Sequence, residues 1–204
     1  MLQLLGDNAQ TNCPLDCTYC VLQTYLSQPL LTVYANAGEV LGEIDDLVER
    51  HPRRLFRIGT GELTDSLALN PFTGFGEDLI RAVAPKKNVI LELKTKTDFV
   101  GRLPSVSQKN AVISWSLNPP GMIQEEEFKS APLEARLEAA QRVVAKGYRL
   151  GFHLDPIVET PEWEEQYRSL IQKLHEAISE RDVFWVSFGS LRFPPSLKPV
   201  IDER

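Results

Sequence analysis

Apolar, β-rich runs alternate with segments of helical period from one end of this 204-residue chain to the other, and that alternation limits the fold more than any other feature. "LQLL" (2–5) reads as a first strand, followed by a polar loop. "EVLGEIDDLVERH" (39–51) places Val40, Leu41, Ile44, Leu47 and Val48 at i, i+3, i+4 spacing behind a capping Asn36, and is predicted helical. The unit then recurs: strand 55–59, helix 76–84, strand 88–95, a short or poorly formed helix near 98–107, strand 111–117. Helix 133–147 ends on a glycine stop, Gly147, before strand 149–157, and helix 162–180 leads to strand 183–191. The reading is six strands joined by five connections.

Strands separated by helices imply βαβ units and a parallel sheet. An eight-unit barrel usually needs about 250 residues, which leaves an open doubly wound sheet or an incomplete barrel. In both, ligands bind at the carboxyl ends of the strands. Those ends carry the polar stretches "GTGE" (59–62), "KTK" (94–96), "SLNPP" (116–120), "HLDP" (153–156) and "FGSLRF" (188–193). Trp115, Trp163 and Trp185 read as packing residues rather than base-stacking platforms. With 43% hydrophobic residues the chain can bury a core, and residues 1–204 are expected to form a single domain. No run approaches 18 apolar residues, so a cytoplasmic protein without a membrane partner is expected.

The formal net charge of −6 has the wrong sign for holding a polyanion by bulk electrostatics. Nucleic acid binding would need a local patch, for which Arg53 with Arg54, Lys86 with Lys87, and Lys94 with Lys96 are the candidates.

All three cysteines, Cys13, Cys17 and Cys20, fall in "NCPLDCTYC" (12–20). An odd count argues against a disulfide framework. A structural zinc site needs four ligands, and the nearest histidine in sequence, His51, lies at the far end of a predicted helix. A thioredoxin-like pair at Cys17 and Cys20 would leave Cys13 idle, and the loop does not lead straight into a helix that would lower a thiol pKa. Iron–sulfur ligation uses all three and leaves one iron position open for substrate or cofactor.

"CPLDCTYC" matches the C-x3-C-x2-C signature of the radical S-adenosylmethionine superfamily, with an aromatic residue, Tyr19, before the third cysteine. More narrowly, "CTYCVLQTYL" and "RLEAAQRVVAKGYRLGFHLDPI" resemble the spore photoproduct lyase family from the cysteine loop through the sixth strand. Members usually extend further at both ends, so the chain is read as a core that can belong to a longer protein. The resemblance implies an α/β fold, an incomplete (β/α)6 TIM-like barrel with parallel strands. It implies a [4Fe-4S] cluster on Cys13, Cys17 and Cys20, with S-adenosylmethionine chelated by the fourth iron. One electron, from a donor such as flavodoxin or ferredoxin, would cleave the cofactor to a 5'-deoxyadenosyl radical that abstracts hydrogen from a substrate. Gly59, Gly61 and Glu62 match the glycine-rich segment that takes the methionine moiety. Lys96 matches a lysine near its carboxylate, and Ser116 and Asn118 match a polar pair reaching the sugar and methionine. Asp155 matches a cofactor contact, with His153 on the same side of its strand as a candidate catalytic residue.

The match departs from the true lyases at two positions. Their hydrogen-donating cysteine corresponds to Thr60, and the assisting tyrosine to Val21. A threonine hydroxyl is a poor hydrogen-atom donor and valine has no O–H. The expected activity is therefore a lyase-like radical reaction on an unidentified substrate, with two alternatives: a DNA photoproduct repair lyase using another donor, and a non-enzymatic iron–sulfur protein.

Overall fold

The computed structural model describes residues 9–107 and 110–203; the expected first strand at 2–5 lies outside them. Two short strands, β1 (Gln10–Thr11) and β2 (Thr32–Val33), form an antiparallel ribbon around the cysteine loop and α1 (Leu22–Tyr25). Then follow α2 (Ala37–Arg50), β3 (Phe56–Gly59), α3 (Asn70–Thr73), α4 (Phe75–Val83), β4 (Val89–Thr95) and β5 (Ala111–Ser116). The chain continues through α5 (Pro120–Glu126), α6 (Leu133–Ala145), β6 (Arg149–Ile157), α7 (Trp163–Ala177), β7 (Val183–Ser190) and α8 (Lys198–Asp202).

Strands β3 to β7 make one parallel sheet in the order β3-β4-β5-β6-β7. A doubly wound sheet reverses its order at a switch point. Here each strand pairs with the next in sequence, the winding of a barrel, and the sheet is a half-barrel with five strands among the described residues.

Alternation along each strand separates two environments. Phe56, Ile58, Leu91, Leu93, Ile113, Trp115, Phe152 and Leu154 face the helices and are at most 2% exposed. Against them pack Ile44 of α2, Leu79 and Ile80 of α4, Leu137 and Val143 of α6, and Tyr167 and Leu170 of α7, in one continuous core. Burying each such aliphatic or aromatic side chain is worth about 1.5–3 kcal/mol. The opposite, inner face carries Arg57, Glu92, Lys94, Ser114, Ser116, His153 and Ser187. Trp185 also sits there, half-buried with the Arg57 guanidinium 4.0 Å above its ring, instead of in the core. Trp115 is the core tryptophan, its indole N–H donating to Thr97 O at 2.9 Å. Trp163 packs edge-on against Tyr167.

The helix expected near 98–107 does not form; the segment is turns and irregular chain. Val100 and Leu103 keep a helix-like spacing and are buried, but the Lys146 ammonium takes the carbonyls of Val100, Gly101 and Leu103 at 2.7–3.2 Å, and Pro104 follows. Those bonds replace the helical ladder. The segment returns to α6 where Val106 N–H donates to Lys146 O at 2.8 Å. Gly147 there adopts φ 95°, the left-handed stop expected from the sequence.

Candidate active site

The cysteine loop is held by its backbone rather than by regular structure. Asn12 and Asp16 have φ of 64° and 57°, a conformation that Asn and Asp tolerate better than other side chains. The Asn12 amide donates to Gln28 O at 2.8 Å and Leu30 O at 2.7 Å, tying the start of the loop to the chain entering β2. Thr18 N–H donates to Glu126 O, and Lys129 N–H to Leu15 O, both at 3.0 Å, which stitches the loop to the end of α5. Leu15, Cys17 and Ala68 form a small apolar cluster against which Cys13, Tyr19 and Cys20 pack.

All three cysteines are free thiols and open on one cavity of about 280 Å³ at the carboxyl ends of the strands. Burial, with the Asp65 charge next in weight, pushes the Cys13 thiol up to about 12. Burial likewise carries Cys17 to about 11. As bare groups Cys13 and Cys17 stay protonated at neutral pH, and only a strong cation beside them would hold them as thiolates. No group of three Cys, His, Asp or Glu side chains among the described residues is gathered tightly enough for a single metal ion. A four-iron cluster instead spreads its thiolates over different irons, so this donor set fits a cluster.

Of the residues singled out from the sequence, Tyr19, Gly61, Glu62, Lys96, Ser116 and Asp155 line the same cavity as the cysteines. Asp155 reaches it from the end of β6, its carboxylate 3.9 Å from Arg192. Gly189 on β7 makes room for it, since a Cβ there would lie 2.6 Å from Asp155 Oδ1. Gly59, Thr60 and His153 line a second, inner-face cavity, and Asn118 is 1% exposed behind the first. Gly61, Glu62 and Lys94 line both cavities, so the two adjoin.

The back wall of the cysteine cavity is a buried charge network that the sequence did not reveal. Glu127, 1% exposed, accepts from Lys96 Nζ at 2.7 Å, Asn118 Nδ2 at 2.9 Å and Arg136 Nη2 at 2.5 Å, and also from the Tyr19 hydroxyl. Burial alone would raise this carboxyl, but Lys96 and Arg136 override it and hold it at about 2. Burial and the Glu127 charge push the Tyr19 phenol well above its ordinary value, so it stays a neutral donor. The Tyr167 hydroxyl donates to Asn118 Oδ1 at 2.8 Å, extending the network to α7. Glu127 lies in the run "EEEF", where nothing marks it off from solvated neighbours.

Asp65 is the other buried anchor. It accepts from the backbone N–H groups of Leu67 and Ala68 at 2.9 Å, and from Thr95 Oγ1 and Lys96 N–H at 2.7 Å. It thereby fixes the "GTGE" loop against the end of β4. On the inner face Glu92 plays the same part, accepting from Arg57 Nη2 at 2.6 Å and from Ser114 Oγ and His153 Nε2 at 2.7 Å. Burial would raise Glu92, but His153, Ser114 and Arg57 hold it at about 2. Ionised Glu92 can only accept, so Nε2 of His153 carries a proton, and Nδ1 on the other side of the ring lies 2.6 Å from the Ser187 hydroxyl.

Together these features define an α/β half-barrel whose strand ends carry a three-thiol cavity walled by buried carboxylates. The family model of spore photoproduct lyase matches residues 8–204, and the chain belongs to that family. It is 29% identical over 197 residues to the spore photoproduct lyase of Bacillus subtilis (strain 168) and 27% identical over 198 residues to that of Geobacillus sp. (strain Y412MC61). In both cases the match covers 95% of this chain but 58% of the relative. A solved spore photoproduct lyase mutant with bound AdoMet and dinucleoside spore photoproduct superposes with a TM-score of 0.88 at 26% identity, covering 96% of this chain and 59% of that one. Another spore photoproduct lyase, complexed with dinucleoside spore photoproduct, gives the same values. The half-barrel and the radical S-adenosylmethionine resemblance expected from the sequence both stand.

Proposed function

We propose that Cys13, Cys17 and Cys20 hold a [4Fe-4S] cluster, that S-adenosylmethionine binds beside it in the same cavity, and that the protein is a spore photoproduct lyase-like radical enzyme. The observation that carries this reading is the opening of three free thiols, with no fourth, onto one cavity at the strand ends. The AdoMet bound to the solved relative supports it. The cluster would supply the electron that cleaves the sulfonium bond to a 5'-deoxyadenosyl radical.

The protein's part is to bind and orient. Glu62, exposed at the rim, takes the cofactor's ammonium group, while Gly61 keeps the backbone beside it free of a side chain. Lys96 presents positive charge to the cofactor's carboxylate, though Glu127 holds it in place. Ser116 and Asp155 reach the remaining polar groups from the ends of β5 and β6, with Asn118 bracing the wall behind them. His153 and Thr60 belong to the adjoining cavity, where the substrate lies. An external one-electron donor of the flavodoxin or ferredoxin kind completes the reaction.

The dinucleoside photoproduct bound to the relatives favours a second reading, repair of a DNA photoproduct with a hydrogen donor other than Thr60 or Val21. Anaerobic cluster reconstitution, then reduction with dithionite in the presence of S-adenosylmethionine, separates these readings. Expected are iron–sulfur absorbance and release of 5'-deoxyadenosine. A reconstituted cluster that releases none sinks the enzymatic reading and leaves an iron–sulfur protein. Conversion of a dinucleoside photoproduct to its parent selects the repair reading.

A further inference from the structure

Lys94 near the end of β4 and Lys96 just beyond it stand two residues apart and both line the cysteine cavity. Their surroundings differ. The Lys96 ammonium is compensated by Glu127 at 2.7 Å. The Lys94 ammonium has no carboxylate or hydrogen-bond acceptor among the described residues; only its backbone is engaged, its N–H donating to Ser66 Oγ and its carbonyl accepting from Ser66 N–H, both at 3.0 Å. Lys94 is nevertheless half-buried, its stem against Gly61, where a Cβ would lie 3.1 Å from Lys94 Cβ and 3.3 Å from Cε.

Glu62 lines both cavities with Lys94 but makes no ion pair with it, and the two buried carboxylates nearby are already matched. Glu92 is 7% exposed and neutralised by Arg57 at 2.6 Å, with two further donors completing its bonds. Asp65 is spent on backbone and hydroxyl donors. Among the described residues, Lys94 is therefore a cation without a counter-charge at the junction of the two cavities. Partial burial of an ammonium without a counter-charge is unfavourable, and an anion entering from solvent removes the penalty.

We propose that Lys94 binds an anionic oxygen of the substrate, phosphate or carboxylate, and seats it in the inner-face cavity next to the cofactor. The proposal rests on the function above in assigning the cysteine cavity to the cofactor. The Thr60 and Ser187 hydroxyls in that cavity are already bonded to Ser66 Oγ at 2.8 Å and to His153 Nδ1 at 2.6 Å, which leaves the ammonium as the group that meets the anion.

The test is calorimetric titration of the cluster-reconstituted protein, with S-adenosylmethionine present, using inorganic phosphate and acetate. The wild type is expected to bind at least one of them saturably. Lys94→Met should weaken that binding roughly tenfold or more, and Lys94→Arg should retain most of it. The preferred anion tells a phosphate-bearing substrate from a carboxylate-bearing one. Unchanged affinity in a folded Lys94→Met variant, or no anion binding by the wild type, overturns the proposal. Affinity for S-adenosylmethionine is measured in the same samples. Its absence would refute the cofactor reading, while the anion titration still decides the role of Lys94.

Discussion

The Lys96 ammonium and the Glu127 carboxylate meet 2.7 Å apart at the back wall of the cysteine cavity, with Glu127 wholly buried. Arg136, itself 0% exposed, closes on the other carboxylate oxygen at 2.5 Å. Two cations around one buried anion leave little room for removing the anion. Glu127→Ala should cost about 3–5 kcal/mol, because both partners lose their counter-charge at once. The residues around Glu127 also anchor the cysteine loop, through Thr18 and Lys129. Urea denaturation should report the lost stability, and iron content after reconstitution should fall with it. A variant as stable as wild type would show that the network is dispensable.

Acid should expose the same network. Glu127 and Glu92 both sit at about 2 in the folded protein, against 4.5 for the free side chain. As pH falls, the unfolded chain takes up these protons first. The stability these groups contribute is therefore complete above about 4.5 and drains away between there and about 2. Asp65, raised by burial, works in the opposite sense and blunts the effect. Urea midpoints measured across this range should fall steeply for wild type and less steeply for Glu92→Gln.

Two glycines resist a methyl group for different reasons. At Gly147, φ is 95° and a Cβ would lie 2.2 Å from the Val106 carbonyl oxygen. Left-handed backbone alone costs an L-residue roughly 1–2 kcal/mol, and the collision is with main chain. At Gly151 the conformation is ordinary, but a Cβ would lie 2.5 Å from Trp185 Nε1. The indole can shift, at about 1–3 kcal/mol for overpacking. Thermal unfolding should rank Gly147→Ala as the more damaging. Only Gly151→Ala should change tryptophan emission, since Trp185 must move.

The parallel α/β layout was legible because its strands are apolar runs separated by helices with clear period, and Gly147 marked a boundary in plain sight; the choice of a half-barrel over a doubly wound sheet came from the family resemblance. The three-cysteine loop was legible because the spacing of its ligands is local. The wall behind it was not. Glu127 and Arg136 come together only when α5 and α6 fold over β5, and in sequence they look like any helical charges. The helix expected near 98–107 failed for the opposite reason: Lys146, some forty residues on, supplies the bonds that a helix would have made. Trp185 fell on the inner face because β7 alternates, and only the pairing of His153 with Ser187 fixes which side that is.

The four bonds into Asp65 give the last prediction. Oδ1 receives Leu67 N–H, Ala68 N–H and the Thr95 hydroxyl, and Oδ2 receives Lys96 N–H. In Asp65→Asn one oxygen becomes an NH2 group. Keeping the carbonyl at Oδ1, where most donors converge, sets the new N–H bonds against the Lys96 amide, donor facing donor. One buried amide then loses its acceptor, a cost of about 1–3 kcal/mol. Amide hydrogen exchange resolves the site. Lys96 should lose protection in the variant while Leu67 and Ala68 keep theirs, and the end of β4 should loosen from the "GTGE" loop. Equal loss at all three amides would mean that Asp65 supports the loop as a whole rather than through these separate bonds.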